Sequence, residues 1–290
     1  MSIFDIFKKN KGSSLKKQIE KLCKNEIRMK FTNLEVKDYT TSKIGGKPYL
    51  PVDFVWPTFT SKEDYITRPL SFFCQINLNE VKKYDKENML PDNGMLYFFY
   101  ECESFCWGFD KSDLGAARVF YFENTEGFKL LDYPTDLLND YIIPELSIIF
   151  ENRKSYPYFE EFEIYSKLEP DWDDYDEILE ELGVDLDEED VNKLLGYANV
   201  IQSEMLTECE RVSRGLYCGD SESYQNTPDS VNKDIEKHAS DWVLLFQLGT
   251  ISKDEFEWMF GDCGLIYFYI KKDDLANKSF DNIQFVVQCS

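Results

Sequence analysis

Between Pro69 and Leu78 the chain reads PLSFFCQINL, with Leu70, Phe72, Cys74, Ile76 and Leu78 on one parity and Ser71, Phe73, Gln75 and Asn77 on the other. A period of two predicts a strand with one apolar face. Asp92-Asn93-Gly94 then supplies a turn, because glycine tolerates positive φ and the preceding polar residues bond the turn backbone. MLYFFYE after it is apolar on both parities, the pattern of a central strand, and ARVFYFE at 117–123 predicts a third. The pattern returns near the C-terminus. In DWVLLFQLGT, Trp242, Leu244, Phe246 and Leu248 share one parity, and GDCGLIYFYI follows with a turn at Asp262. Elsewhere the period lengthens. Ile3, Phe4, Ile6 and Phe7 cluster, and Leu15, Ile19, Leu22 and Ile27 follow at near-helical spacing, so the first thirty residues predict a helix. In DDYDEILEELG, Tyr175, Ile178, Leu179 and Leu182 fall at i, i+3, i+4 and i+7, and Gly183 closes the helix. Asp187 caps a second predicted helix, with Val191, Leu194 and Leu195 facing inward. Three prolines in SKIGGKPYLPVDFVWPTF, positions 42–59, forbid a helix and predict an extended strap hung with Tyr49, Phe54 and Trp56. Residues 134–160 predict loops and short elements.

The two β patterns echo each other. With Gln75 set on Gln247, Ile76 lies over Leu248, Asp92-x-Gly94 matches Asp262-x-Gly264 and Tyr97-Phe98 matches Tyr267-Phe268. Each copy then reaches an Asp-Leu pair, Asp113-Leu114 or Asp274-Leu275, and a last apolar strand. A strand–turn–strand unit cannot bury its own apolar face, so two copies packed together complete a core. The expected fold is α+β: two similar β-rich halves, an internal duplication in mostly antiparallel sheet, with peripheral helices and an acidic helical insertion. The expected boundaries are a basic N-terminal helix over 1–30, a first half over 31–155, the acidic segment over 156–197 and a second half over 198–290. All belong to one globular domain over 1–290.

Six motifs occur in order from about residue 40: S-K-x-G-G-x-P-x-L-P with a following W-P, F-x-x-Q-I-x-L, L-P-x-x-G-x-L-Y-F-F, L-L-G-Y-x-x-x-x-Q, W-x-L-L-x-Q and G-D-x-G-x-I-Y-F. In these the chain resembles the YwqG-like family of bacterial proteins, itself a domain of unknown function. The resemblance implies a bacterial, intracellular α+β protein with an internally repeated sheet, and it implies no chemistry. The chain departs from the pattern at Phe260, where the family has tryptophan before G-D, and at Ala198, where it has proline after G-Y.

Charge and candidate chemistry narrow the function. The 290 residues are 43% apolar and 16% aromatic, ample for a core, and the net charge is −23. Residues 1–30 hold nine Lys/Arg and three Asp/Glu, which leaves −29 for the rest, and 160–190 hold sixteen acids and one lysine. Such a body repels nucleic-acid phosphates and attracts a basic partner. No run of 18 apolar residues occurs, and the N-terminus lacks the order of a signal peptide, so a cytoplasmic location is expected. The basic start either docks on the acidic body or meets an anionic membrane, and docking needs no second partner. The eight cysteines are expected as reduced thiols. Cys102 and Cys106 need Cys209, Cys218 or His238 to make a metal site, and DWDDYDE lacks the glycine and terminal glutamate of a calcium loop. No cofactor motif is present, and any Ser-His or Cys-His pair must use His238, the single histidine. Gln75 and Gln247 interrupt apolar strands at matching places. Each amide either pins a neighbouring segment or faces a cleft between the halves. The candidate binding residues are Gln75, Gln247, Trp56, Asp262 and Asp92, the two aspartates also fitting a plain turn role. The leading expectation is a non-catalytic acidic module that binds a basic protein, in the manner of an immunity protein or antitoxin. The alternative is a small-molecule-binding protein, or a hydrolase, that uses a cleft between the halves. The oligomeric state stays open.

Overall fold

The computed structural model describes residues 14–166, 168, 170–186, 188 and 190–290. The apolar cluster Ile3–Phe7, the lysines after it and the expected cap at Asp187 lie outside these residues. The described fold is α+β, a large antiparallel sheet with a few helices. Ten strands form the sheet: β1 (Lys24–Thr32), β2 (Lys43–Ile44), β6 (Ser71–Asn77), β7 (Met95–Tyr100), β8 (Ala117–Phe122), β10 (Leu146–Ser155), β11 (Lys193–Leu194), β12 (Trp242–Leu248), β15 (Leu265–Lys271) and β16 (Gln284–Gln288). Their order is β16-β15-β12-β11-β1-β10-β2-β6-β7-β8. Three ribbons pair β3 (Tyr49–Leu50) with β9 (Lys129–Leu130), β4 (Thr58–Thr60) with β5 (Thr67–Pro69), and β13 (Ile251–Lys253) with β14 (Phe256–Trp258).

The central pair is β1 with β10, in register from Lys24↔Ser155 to Thr32↔Ser147. Outward from it, β2 and then β6 lie on one side, and β11 and then β12 on the other. Lys43 sits opposite Gln75 in one arm, and Lys193 opposite Gln247 in the other. In both arms the register slips once, between Phe72 and Cys74 or between Leu244 and Phe246. Such a bulge bends a strand and sharpens its twist. The sheet curls until its arms meet. Phe98 on β7 stacks on Phe246 of β12 with ring centroids 4.2 Å apart, although five strands separate them in the sheet order. Tyr100 of β7 lies edge-on to Phe285 of β16 at 5.7 Å. The result is close to a barrel, and its interior cluster draws residues from Ile27 to Val287.

Helices cover the outside. A first helix, α1, runs over 14–21; the others are α2 (Leu78–Val81), α3 (Phe159–Ser166), α4 (Trp172–Glu181), α5 (Leu206–Ser213), α6 (Ser221–Gln225), α7 (Asp229–Ala239) and α8 (Lys272–Ala276). On α4 the predicted face is buried: Tyr175, Ile178 and Leu179 pack with Phe162, Tyr156 and Ile19, and Leu15 and Leu22 add to the cluster. Helix α1 therefore docks on the acidic segment, and Lys16 pairs with Glu181 at 2.7 Å. Among the described residues no helix is long and apolar enough to cross a membrane.

Four expectations need correction. The N-terminal helix does not run to residue 30, because Lys24–Thr32 is a strand whose Ile27 and Met29 face the core while Glu26 and Arg28 face the other way. Residues 134–160 contain the longest strand, β10, paired with β1 along nine positions. The helix expected after Asp187 is absent at 193–194, where β11 joins the two arms of the sheet. Strand β6 has no wet face, since Ser71 and Gln75 are as buried as their apolar neighbours.

Candidate functional site

Charged side chains collect on the outer face of the central strands. Strand alternation sends Ile27 and Met29 inward, so Glu26 and Arg28 project from the opposite side of β1, and β11 adds Lys193. Glu26 Oε2 accepts from Lys193 Nζ at 2.8 Å, and Glu26 Oε1 accepts from Arg28 Nε at 3.0 Å and Nη2 at 2.6 Å. Glu188, from the acidic segment, closes on Arg28 at 2.9 Å and on Arg153 at 2.7 Å. Glu26, Arg28 and Lys193 are all nearly inaccessible to solvent. Burial works to raise the Glu26 carboxyl, but Lys193 and Arg28 outweigh it and hold it below its ordinary value. Burial pushes the Lys193 ammonium down, and Glu26 opposes that.

Beside this network opens a cleft of about 540 Å³, lined among others by Lys193, Ser155, Tyr158, Asn199, Arg153 and Lys154. Gly196, at φ +80, lets the chain pass over Ser155 and Glu26, since a Cβ there would sit 2.8 Å from Ser155 Oγ. Ser155 Oγ accepts from Tyr197 N at 2.9 Å, and Tyr158 Oη accepts from Asn199 Nδ2 at 2.7 Å. Burial raises the Tyr158 phenol above its ordinary value, so it keeps its proton. Among the described residues neither hydroxyl donates onward, and Lys193 has Glu26 as its one hydrogen-bond acceptor.

Gln247 stands behind this cleft. Its Nε2 donates to Val191 O at 2.7 Å and to Asn199 Oδ1 at 2.9 Å, and its Oε1 accepts from Asn199 N at 2.9 Å. It fixes the residue that holds Tyr158. Gln75 makes the matching set in the other arm, donating to Tyr39 O and Thr41 O and accepting from Tyr49 N. Each amide thus hydrogen-bonds within its own arm. Trp56 is half-buried, donates from Nε1 to Leu70 O at 2.8 Å and lies edge-on to Phe99, as a strap would. Asp92 is exposed beside Lys82, and Asp262 is exposed at its turn. The structure thus brings none of the five residues together, and one of them, Gln247, backs the cleft. His238 lies on the exposed side of α7 with Asp241 at 2.8 Å and Asp234 at 3.8 Å, and among the described residues no serine or cysteine partners it. Among the described residues no group of three or more His, Cys, Asp or Glu is arranged to hold a metal.

Lys193, Tyr158 and Ser155 went unmarked in the sequence. A signal was present: N-K-L-L-G at 192–196 repeats S-K-I-G-G at 42–46. The two lysines precede left-handed pairs, Gly45 and Gly46 at φ +52 and +64, Leu195 and Gly196 at φ +61 and +80. Lys43, however, satisfies itself within the protein, donating to Lys47 O and Glu145 Oε2, each at 2.7 Å.

No curated protein matches the chain. A family model described as a domain of unknown function, DUF1963, matches residues 42–289, which include both arms of the sheet and every residue of the cleft except Glu26 and Arg28. The chain belongs to the DUF1963 family.

Proposed function

We propose that the protein is a non-catalytic binding protein that holds a small molecule in the cleft beside Lys193. The observation that carries this reading is Lys193 itself, a buried ammonium at the wall of a cleft with a single protein acceptor among the described residues. A buried ammonium has three N–H groups to satisfy, and each unmet one costs free energy. A thermal-shift screen against metabolites tests it, because a ligand present at a hundred times its dissociation constant adds about 2.7 kcal/mol of stability. Hits should disappear in Lys193→Gln. A screen without hits, or with hits indifferent to that change, would defeat the reading.

A second reading keeps the acidic face as a docking surface for a basic protein. Asp173, Glu177 and Glu180 are exposed on α4 and have no basic partner among the described residues, and Trp172 beside them is half exposed. Reversing these three charges should abolish salt-sensitive binding of such a partner and leave the cleft's ligand unaffected. We also infer that the arms are an internal duplication, that the family relation extends to the YwqG-like proteins, and that the protein is cytoplasmic. The duplication is supported by the strand order, which runs alike outward from the central pair, and by the glutamine opposite a lysine in each arm. A crystal structure whose arms share no common register would refute it.

A further inference from the structure

We propose that the molecule held beside Lys193 carries an oxyanion head, a phosphate or a carboxylate, received by Lys193, Tyr158 and Ser155. This rests on the small-molecule reading above and names the ligand's chemistry. The inventory of the cleft is one-sided. Glu26 and Glu188, the carboxylates in the ionic network, are already engaged by Lys193, Arg28 and Arg153. Asn199 Oδ1 is taken by Gln247, and Asn199 O accepts from Tyr267. What stays unused is donor capacity: two N–H of Lys193, the hydroxyl protons of Tyr158 and Ser155, and the ammonium of Lys154, which has no partner among the described residues. Each hydroxyl already accepts one bond and has its proton unassigned, which favours an acceptor, and an ammonium can only donate. A ligand that brings acceptor oxygens satisfies all of these groups; a cationic ligand satisfies none.

Charge points the same way. The chain carries −23 overall, yet the cleft wall holds Arg28, Arg153, Lys154 and Lys193 against Glu26, Asp185 and Glu188. Among the described residues the recess is locally positive, and such a recess in an acidic body concentrates an anion where the rest of the surface repels it. The opposite arm is the internal comparison. There Lys43 turns to Glu145 and to the carbonyl of Lys47, and Tyr49 stands where Asn199 stands, so that lysine has its acceptors from the protein.

The test is calorimetric titration of the full chain with inorganic phosphate and, separately, with acetate at matched ionic strength. Methylammonium and a neutral polyol serve as comparators. Lys193→Gln and Tyr158→Phe are run alongside, the second as a variant that keeps the ring in place should the first unfold. The expected result is saturable binding of at least one anion. Lys193→Gln should weaken it by about tenfold or more and Tyr158→Phe by several-fold, the loss per charged or neutral hydrogen bond. Preference for phosphate or for acetate identifies which oxyanion the cleft takes. If neither anion binds while a neutral or cationic metabolite from the thermal-shift screen does, the oxyanion assignment fails and the small-molecule reading stands. If nothing binds, both fail. Anion binding indifferent to both substitutions also overturns the assignment.

Discussion

Glu208 offers the sharpest quantitative test. It lies in the first turn of α5, is buried, and its Oε1 has no hydrogen-bond partner among the described residues. Burial, reinforced by the neighbouring Glu204, pushes its carboxyl from an ordinary 4.5 up to about 8. Below pH 4.5 both the folded and the unfolded chain hold this proton, and it has no effect on stability. Above that pH the unfolded chain releases the proton while the folded chain keeps it, so stability falls as pH rises until the folded carboxyl also ionises near 8. At 1.36 kcal/mol per pH unit the loss is roughly 3 kcal/mol by pH 7 and about 5 kcal/mol above pH 8. Glu208→Gln keeps the size of the side chain and removes the proton. Urea denaturation of both proteins, followed by tryptophan fluorescence from pH 5 to 9, measures the difference. Titrating groups not coupled to Glu208, including Glu161, which burial pushes to about 7, cancel in that difference. The variant should lie within about 1 kcal/mol of the parent near pH 5 and exceed it by roughly 3–5 kcal/mol at pH 9. A difference that does not change with pH would show that Glu208 is hydrated in the folded protein and that this burial argument is wrong.

Three further outcomes follow from the packing. Gln75→Leu should cost about 2–4 kcal/mol in urea denaturation, because it leaves Tyr39 O, Thr41 O and Tyr49 N without their partner; a loss below about 1 kcal/mol would mean that water replaces the amide. Phe246→Ala removes the ring stacked on Phe98 and should cost about 3–5 kcal/mol by the same assay, whereas a small loss would mean that the arms do not press together. Lys16→Ala, which breaks an exposed pair with Glu181, should change stability by no more than about 0.5–1 kcal/mol, and a larger loss would assign α1 an electrostatic anchorage that its apolar contacts do not suggest.

The strands that carry the echo were legible because their neighbours are mostly apolar and their turns carry glycine: Gly94 takes φ +97, as Asp92-Asn93-Gly94 implies, whereas in the second copy Cys263 takes φ +51 and Gly264 serves a close approach, since a Cβ there would sit 2.1 Å from Phe260 O. Helix α4 was legible from its period. The central pair was not. In β1 the alternation Ile27, Met29, Phe31 against Glu26, Arg28, Lys30 is visible in retrospect, but Ile19 and Leu22 just before it extend a helical spacing into the same letters. In β10 the apolar pattern is diluted by Glu151 and Arg153, whose reason for being there is the ionic network on that face. Buried charge hides a strand, since polarity along the chain reads as exposure. The same concealment covered Lys193. Its role depends on Glu26, some 170 residues away in the chain, and on a tyrosine and a serine at the end of a strand that the periodicity does not show. Gln247 was found because an amide amid apolar residues must be partnered, and its partners are Val191 O and Asn199 in the neighbouring segment. Gln288 of β16 plays a similar role, accepting from Ile201 N and Gln202 N, and nothing in its local sequence separated it from a surface residue.

The stacked rings of Phe98 and Phe246 also bear on how the molecule comes apart. Strands so distant in sheet order interlock at the centre, so peeling either arm away strips the other of its greasy lining. The chain should therefore melt in one step. Severed between the arms, it should yield two sticky fragments that survive in solution only by recapturing each other.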